Sequence, residues 1–202
     1  MLVREVEFAA IDFESAGVGR GQTDVPIQIG MATLRGVVIL DSFRSYLHSD
    51  RPVAWSARRV HGIEDADLVG APTLQALWPE LKSRLANRWV VSHAAGTEKR
   101  FLRTFPGHGF GPWVDTLTLF RAAMPETGSH SLSALAAACG CEAECRALVP
   151  DFRWHDALCD AIASLVLLRW LIARCDLAGA PAETLLNPDR TRYYALRASR
   201  PR

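Results

Sequence analysis

The chain lacks any run of about 18 apolar residues uninterrupted by charge, which excludes a membrane-spanning helix. It also lacks the layout of a secretory leader. In MLVREVEFAAIDFES acidic residues enter at Glu5 and Glu7 and no long apolar segment follows, so the expected location is cytoplasmic. Charge of one sign is missing too: 23 lysines and arginines stand against 22 aspartates and glutamates, for a net charge of +1. That balance gives no sign of the basic surplus of many non-specific nucleic-acid binders. It leaves room for a site that meets phosphates through bound cations, because each ion brings two positive charges of its own. Cysteines number five, and Cys139, Cys141 and Cys145 in CGCEAEC have neither the Cys-x-x-Cys spacing nor the following histidine of a zinc finger. Reduced thiols at a helix end are the expectation. No internal repeat and no low-complexity linker divides the chain.

What is present suffices for one domain with a sizeable core, since 49% of the 202 residues are hydrophobic. Residues 3–11 read as a strand ending at Asp12, and Gly17, Gly19 and Gly21 mark a loop after it. Residues 26–34 and 37–47 are strand-like, with a tight turn at Arg35-Gly36, so the first three strands form an antiparallel meander. Thr73 is placed to cap a helix over 74–86, in which Pro79 demands a kink or a late start. A short strand at 88–93, a helix at 97–105, a strand end passing into a helix at Asp115 and a serine-capped helix over 131–139 follow. The strongest periodicity runs over 155–175, where Leu158, Ile162, Leu165, Val166 and Ile172 build a wide apolar stripe. Strands first and alternating strands and helices afterwards predict an α/β domain: a mixed central sheet, three antiparallel strands and then parallel ones, flanked by helices. The domain is set at residues 1–186 and a basic extension at 187–202. In that extension Arg190, Arg192, Arg197, Arg200 and Arg202 surround Tyr193 and Tyr194, a mixture that suits contact with a nucleic-acid strand or simply a solvated terminus.

Two acidic pairs stand out. Asp12 and Glu14 lie two apart at the end of the first strand, so their carboxylates share a face while Ile11 and Phe13 point the other way. Like charges held together at the edge of a core call for a cation, and hard oxygen ligands suit Mg²⁺ or Mn²⁺. His155 and Asp160 lie five apart, about 140° around a helix, so they meet only if His155 sits at or just before the helix start, where the backbone can redirect it. Asp160 interrupts an otherwise apolar face.

Taken together, DFES at Asp12 to Ser15, SHAAGTEKRFL at Ser92 to Leu102 and HDALCD at His155 to Asp160 resemble the three motifs of the DEDDh family of 3′→5′ exonucleases, within the ribonuclease H-like superfamily. VHGIEDADLVGAPT, VDTLTLFRAAMP and SHSLSALAAACG resemble the family's connecting segments, so the likeness runs in order from residue 5 to about 175. One departure stands in the second motif: Glu98 replaces the usual aspartate, and Ala94 the usual asparagine.

The resemblance implies a ribonuclease H-like fold and a phosphodiester hydrolase that releases nucleoside 5′-monophosphates from a 3′ end of single-stranded DNA or RNA. It implies two divalent cations, Mg²⁺ or Mn²⁺, held by Asp12, Glu14, Glu98 and Asp160, and His155 as the general base, a role that suits an imidazole near neutral pH. Ser15 would meet the terminal 3′-OH. Phe13 would pack on the terminal base or, equally, in the core, and His93 would be structural or close to substrate. Asp115 would cap the helix after it. A proofreading role would need a polymerase partner, and a homodimer is left open. The competing reading is a catalytically weakened nucleic-acid-binding module of the same fold, supported by Glu98 and Ala94.

Overall fold

The computed structural model describes residues 1–18 and 23–193. Gly19 and Gly21 of the first loop, and Tyr194, Arg197, Arg200 and Arg202 of the tail, lie outside the described residues. Five strands form one sheet: β1 (Glu7–Ser15), β2 (Pro26–Arg35), β3 (Val38–Tyr46), β4 (Trp89–Ser92) and β5 (Trp113–Asp115). Their order is β3-β2-β1-β4-β5, antiparallel from β3 to β1 and parallel from β1 to β5. The mixed sheet expected from the sequence is therefore present, with the meander on one side and the crossover strands on the other.

Seven helices carry the connections among the described residues: α1 (Trp55–His61), α2 (Trp78–Leu85), α3 (Gly96–Leu102), α4 (Thr116–Ala123), α5 (Leu132–Cys139), α6 (Glu142–Leu148) and α7 (Ala157–Arg174). Pro79 gives α2 its late start, in the first turn where a missing N–H costs nothing, and residues 74–77 form turns instead of the helix expected from Leu74. Both α1 and α6 went unread in the sequence. Each has only seven residues, too few for a periodic stripe to declare itself. No helix among the described residues is long and apolar enough to cross a membrane.

Alternation along β1 divides the core. Ala9, Ile11 and Phe13 face α2 and α3, packing with Ile29, Met31, Leu81, Leu85 and Phe101. Phe8 and Ala10 face α7, with Val91, Val114, Leu165 and Val166. Asp12 and Glu14 continue this second row, so the strand's own period aims both carboxylates at α7. Nearly all of α7 is buried around its whole circumference, as expected of a helix laid across a sheet and covered by α5 and α6.

The cysteines behave as small apolar residues. All five are free, and Cys141, at the N-cap of α6, and Cys145, within α6, are buried. None joins a metal-competent group among the described residues. In the tail, Arg190–Tyr193 forms a 3-10 turn against α4, and the Tyr193 ring is fully buried in the same core as α7. Its packing thus extends the folded body past residue 186, and that ring is not available for a nucleic-acid strand.

Candidate active site

β1 brings Asp12 and Glu14 to the α7 face opposite Gly30 and Gln28 of β2, and the pairing register shifts between Glu14 and Ser15 as the strand leaves the sheet. α7 brings Asp160 from its first turn. His155 does not belong to that helix. It precedes the N-cap Asp156 and has a left-handed backbone, φ 61°. This turn is what lets His155 and Asp160 share a site despite a spacing that would part them on a regular helix. Ligand atoms of Glu14, His155 and Asp160 all lie within 4.8 Å of one another. Glu98 enters from the other side, buried in the first turn of α3.

The electrostatics describe one cluster. Burial, followed by repulsion from Asp160, Glu98 and Glu14, pushes the Asp12 carboxyl well above the usual carboxylate range. Burial is also the first cause for the others. Glu14 is raised to about 8, with Asp160 and Asp156 adding repulsion and Arg153 opposing it. Asp160 is raised to about 7, and Glu98 to about 7 with Asp115 adding to the burial. Carboxylates crowded into a desolvated site hold their protons to higher pH than free ones unless a cation takes the protons' place. Two oxygens, Glu98 Oε2 and Asp160 Oδ1, are buried with no hydrogen-bond partner in the protein. An unpartnered buried oxygen is costly, and a hard divalent cation is the partner that all-oxygen donors fit. The residues therefore fit the metal that the motifs imply.

Asp156 is a fifth carboxylate near the cluster, and its oxygens are already committed. Oδ1 accepts from the Leu158 and Cys159 amides, and Oδ2 accepts from Gln28 Nε2 at 2.9 Å and Arg44 at 3.1 Å. Its exposure is 1%. Gln28 closes the ring by accepting from the Ala157 amide at 2.9 Å. The sequence carried a signal for Gln28, an amide between two isoleucines in the apolar strand PIQIGMATL, which was read only as strand. Nothing in the sequence joins Arg44 to Asp156, because the contact spans 112 positions.

The three residues assigned to substrate separate. Phe13 is buried, with its ring edge-to-face on Phe101 at 5.5 Å. Of the two places left open for Phe13, the ring takes the core, because the strand period turns it away from Asp12. His93 has both ring nitrogens engaged, Nδ1 with Thr116 Oγ1 at 2.9 Å and Nε2 with the His130 carbonyl at 2.8 Å. It ties the end of β4 to α4 and to the segment before α5, the structural one of the two roles left open for it. Ser15 stays at the site edge, half-buried, with its carbonyl accepting from His61 Nε2 at 3.2 Å. His61 Nδ1 in turn accepts from the Ile63 amide, which fixes the neutral tautomer, and burial holds its pKa down. The role of His61 in the VHGI segment was not read from the sequence.

Comparison with known proteins agrees with this architecture. Residues 9–168 match the RNase_T family, described as Exonuclease. The DNA polymerase III PolC-type protein of Thermotoga maritima is 27% identical over 173 residues, covering 83% of this chain and 12% of that protein. The PolC-type protein of Bacillus cereus is 25% identical over 139 residues, covering 66% of this chain and 10% of that protein. The chain thus spans about an eighth or less of the length of these relatives. Among solved structures, exonuclease X in complex with 5′ overhanging duplex DNA superposes with a TM-score of 0.71 at 24% identity, covering 88% of this chain and 96% of that one. The nuclease domain of 3′hExo, a DEDDh family member bound to rAMP, gives 0.69 at 14% identity, covering 89% and 97%. These neighbours share the ribonuclease H-like fold. The family match runs from β1 into α7, taking in the whole sheet and every carboxylate of the cluster, and on that ground the chain belongs to the RNase_T exonuclease family.

Proposed function

We propose that this protein is a 3′→5′ exonuclease that hydrolyses phosphodiester bonds at the 3′ end of single-stranded DNA or RNA and releases nucleoside 5′-monophosphates. The observation that carries the reading is the convergence of Asp12, Glu14, Glu98 and Asp160, with two buried and unpartnered oxygens, beside the exposed imidazole of His155. Asp12, Glu14, Glu98 and Asp160 would hold two Mg²⁺ or Mn²⁺ ions, with Glu14 and Asp160 on the His155 side of the site, Glu98 on the α3 side and Asp12 close to all three. When bound, the ions supply activation of that water and neutralisation of the charge that develops on the phosphate and the leaving 3′ oxygen. His155 takes the proton of the attacking water at a ring nitrogen, and its exposure lets it pass the proton on to solvent. Arg153, the cationic group that opposes the rise at Glu14, offsets negative charge at the rim. Ser15 would lie against the terminal sugar. Resemblance to PolC-type proteins favours work beside a polymerase, and a second copy of the chain is the alternative partner.

A 5′-labelled single strand incubated with the protein and Mn²⁺ tests the reading. The expected result is a ladder shortening from the 3′ end, with mononucleotide as product. A discrete internal cut would overturn the exonuclease assignment. Release of no mononucleotide from any single strand would favour the weakened binding module. Matched DNA and RNA oligomers decide the substrate.

A further inference from the structure

We propose that Gln28 of β2 and Arg44 of β3 are positioning residues that act through the buried Asp156 carboxylate to hold His155 against Glu14 and Asp160. The inference rests on the nuclease reading for its kinetic consequence, though not for its structural one.

His155 is neither glycine nor asparagine, yet its φ is 61°. Such a backbone persists only where its surroundings over-determine it. On its C-terminal side they do so through Asp156. That carboxylate takes the first amides of α7 on one oxygen and the Gln28 amide and Arg44 guanidinium on the other. Arg44 is itself anchored by Asp151 at 2.6 Å, so it spans both ends of the loop that leads into His155. Gly30 lets β2 approach: a Cβ there would lie 2.1 Å from the Ala157 carbonyl carbon and the Leu158 amide nitrogen. The start of α7 is thus pressed onto the same sheet that carries Asp12 and Glu14, and the β2–β3 hairpin sets the distance between His155 and the acids. The side-chain hydrogen bonds of Gln28 and Arg44 run to Asp151, Asp156 and the Ala157 amide, so their influence on His155 is indirect.

A merely structural clamp would lower stability and leave chemistry alone, and a positioning clamp would lower kcat. Arg44→Ala and Gln28→Ala, assayed with Mn²⁺ well below their melting temperatures, are expected to lower kcat about 10- to 100-fold with KM within about twofold of wild type. Arg44→Lys keeps a cation for Asp156 and should recover part of the loss. In a His155→Ala background, Arg44→Ala should cost less than about twofold further, because the group it positions is gone. Equal losses in both backgrounds, or unchanged kcat with a lowered Tm, would overturn the proposal. A readout independent of turnover is the NMR signature of the His155 ring: one set of resonances in wild type, changing in shift and line width in Arg44→Ala as the ring leaves its fixed place beside Glu14 and Asp160. If the wild-type protein degraded no oligomer, the functional reading would fail, and this spectrum would still decide the clamp. An unchanged His155 signature in Arg44→Ala would overturn it.

Discussion

The starts of α7 and α3 solve the same problem by different means. Each helix delivers an acid from its first turn, Asp160 and Glu98, and each follows a motif that opens His-x-Ala. A residue with left-handed backbone precedes each start, His155 at φ 61° and Ala94 at φ 68°. At α7 the cap is local: Asp156 sits in the N-cap position, buried, and is braced by β2 and β3. At α3 the N-cap is Ala95, with no side chain to offer, and the amides of Ala94 and Ala95 are taken by Asp115 from the end of β5. Asp115 also caps α4, so one carboxylate serves two helix starts. The α7 side therefore carries more constraint and meets the attacking water in the proposed mechanism, whereas the α3 side is a seven-residue helix bearing the one acid that departs from the usual motif.

That contrast can be broken in order of expected effect. Asp12→Ala should reduce mononucleotide release by about 10³-fold or more, because it removes the group common to both sides. Near-wild-type activity in a folded Asp12→Ala protein would end the reading of Asp12 as a metal ligand. Glu98→Ala should cost less, by about one to two orders of magnitude, and mostly raise the Mn²⁺ concentration needed for half-maximal rate. Glu98→Asp, which restores the usual residue, should stay within about tenfold of wild type while shifting the Mg²⁺ to Mn²⁺ activity ratio. An unchanged metal response in both Glu98 variants would place this acid outside the metal site. Asp115→Ala should loosen two helix starts, lowering Tm by about 2–4 °C for each kcal/mol of lost capping, and reduce kcat only a few-fold.

The mildest test concerns pH. In the metal-free protein burial and repulsion push Glu14, Asp160 and Glu98 up to about 8, 7 and 7 from ordinary carboxylate values of 4.5, 3.8 and 4.5. The folded state then binds more protons than the unfolded state between about pH 4 and 8. Stability is fully present below the unfolded values, falls as pH rises through that window and levels above it. Tm measured with a chelator should decline from pH 5 to pH 8, and saturating Mn²⁺ should remove the decline. A metal-free Tm independent of pH would show that the carboxylates are not held in mutual repulsion.

Much of the site was legible because it is written in local periods. A strand's period of two put Asp12 and Glu14 on one face and sent Phe13 to the other, although the choice for Phe13 between core and substrate needed the packing partner Phe101. The apolar stripe located α7, and its spacing stated the condition on which His155 and Asp160 could meet. Asp115 was read as a cap from its place before a helix, and it is one. Less legible were α1 and α6, too short for a period, and His93, whose two partners lie 23 and 37 positions away.

The sequence by itself therefore determined the order of the strands and of five of the seven helices described, the shared face of Asp12 and Glu14, and the requirement for a backbone turn at His155, since each follows from steric periods that act over a few residues. Only the tertiary structure decided how that turn is held. Gln28, Arg44 and Asp156 are far apart in the chain and meet because the sheet lays α7 across the β2–β3 hairpin. Hydrogen bonds between such distant groups depend on packing geometry that no local pattern encodes.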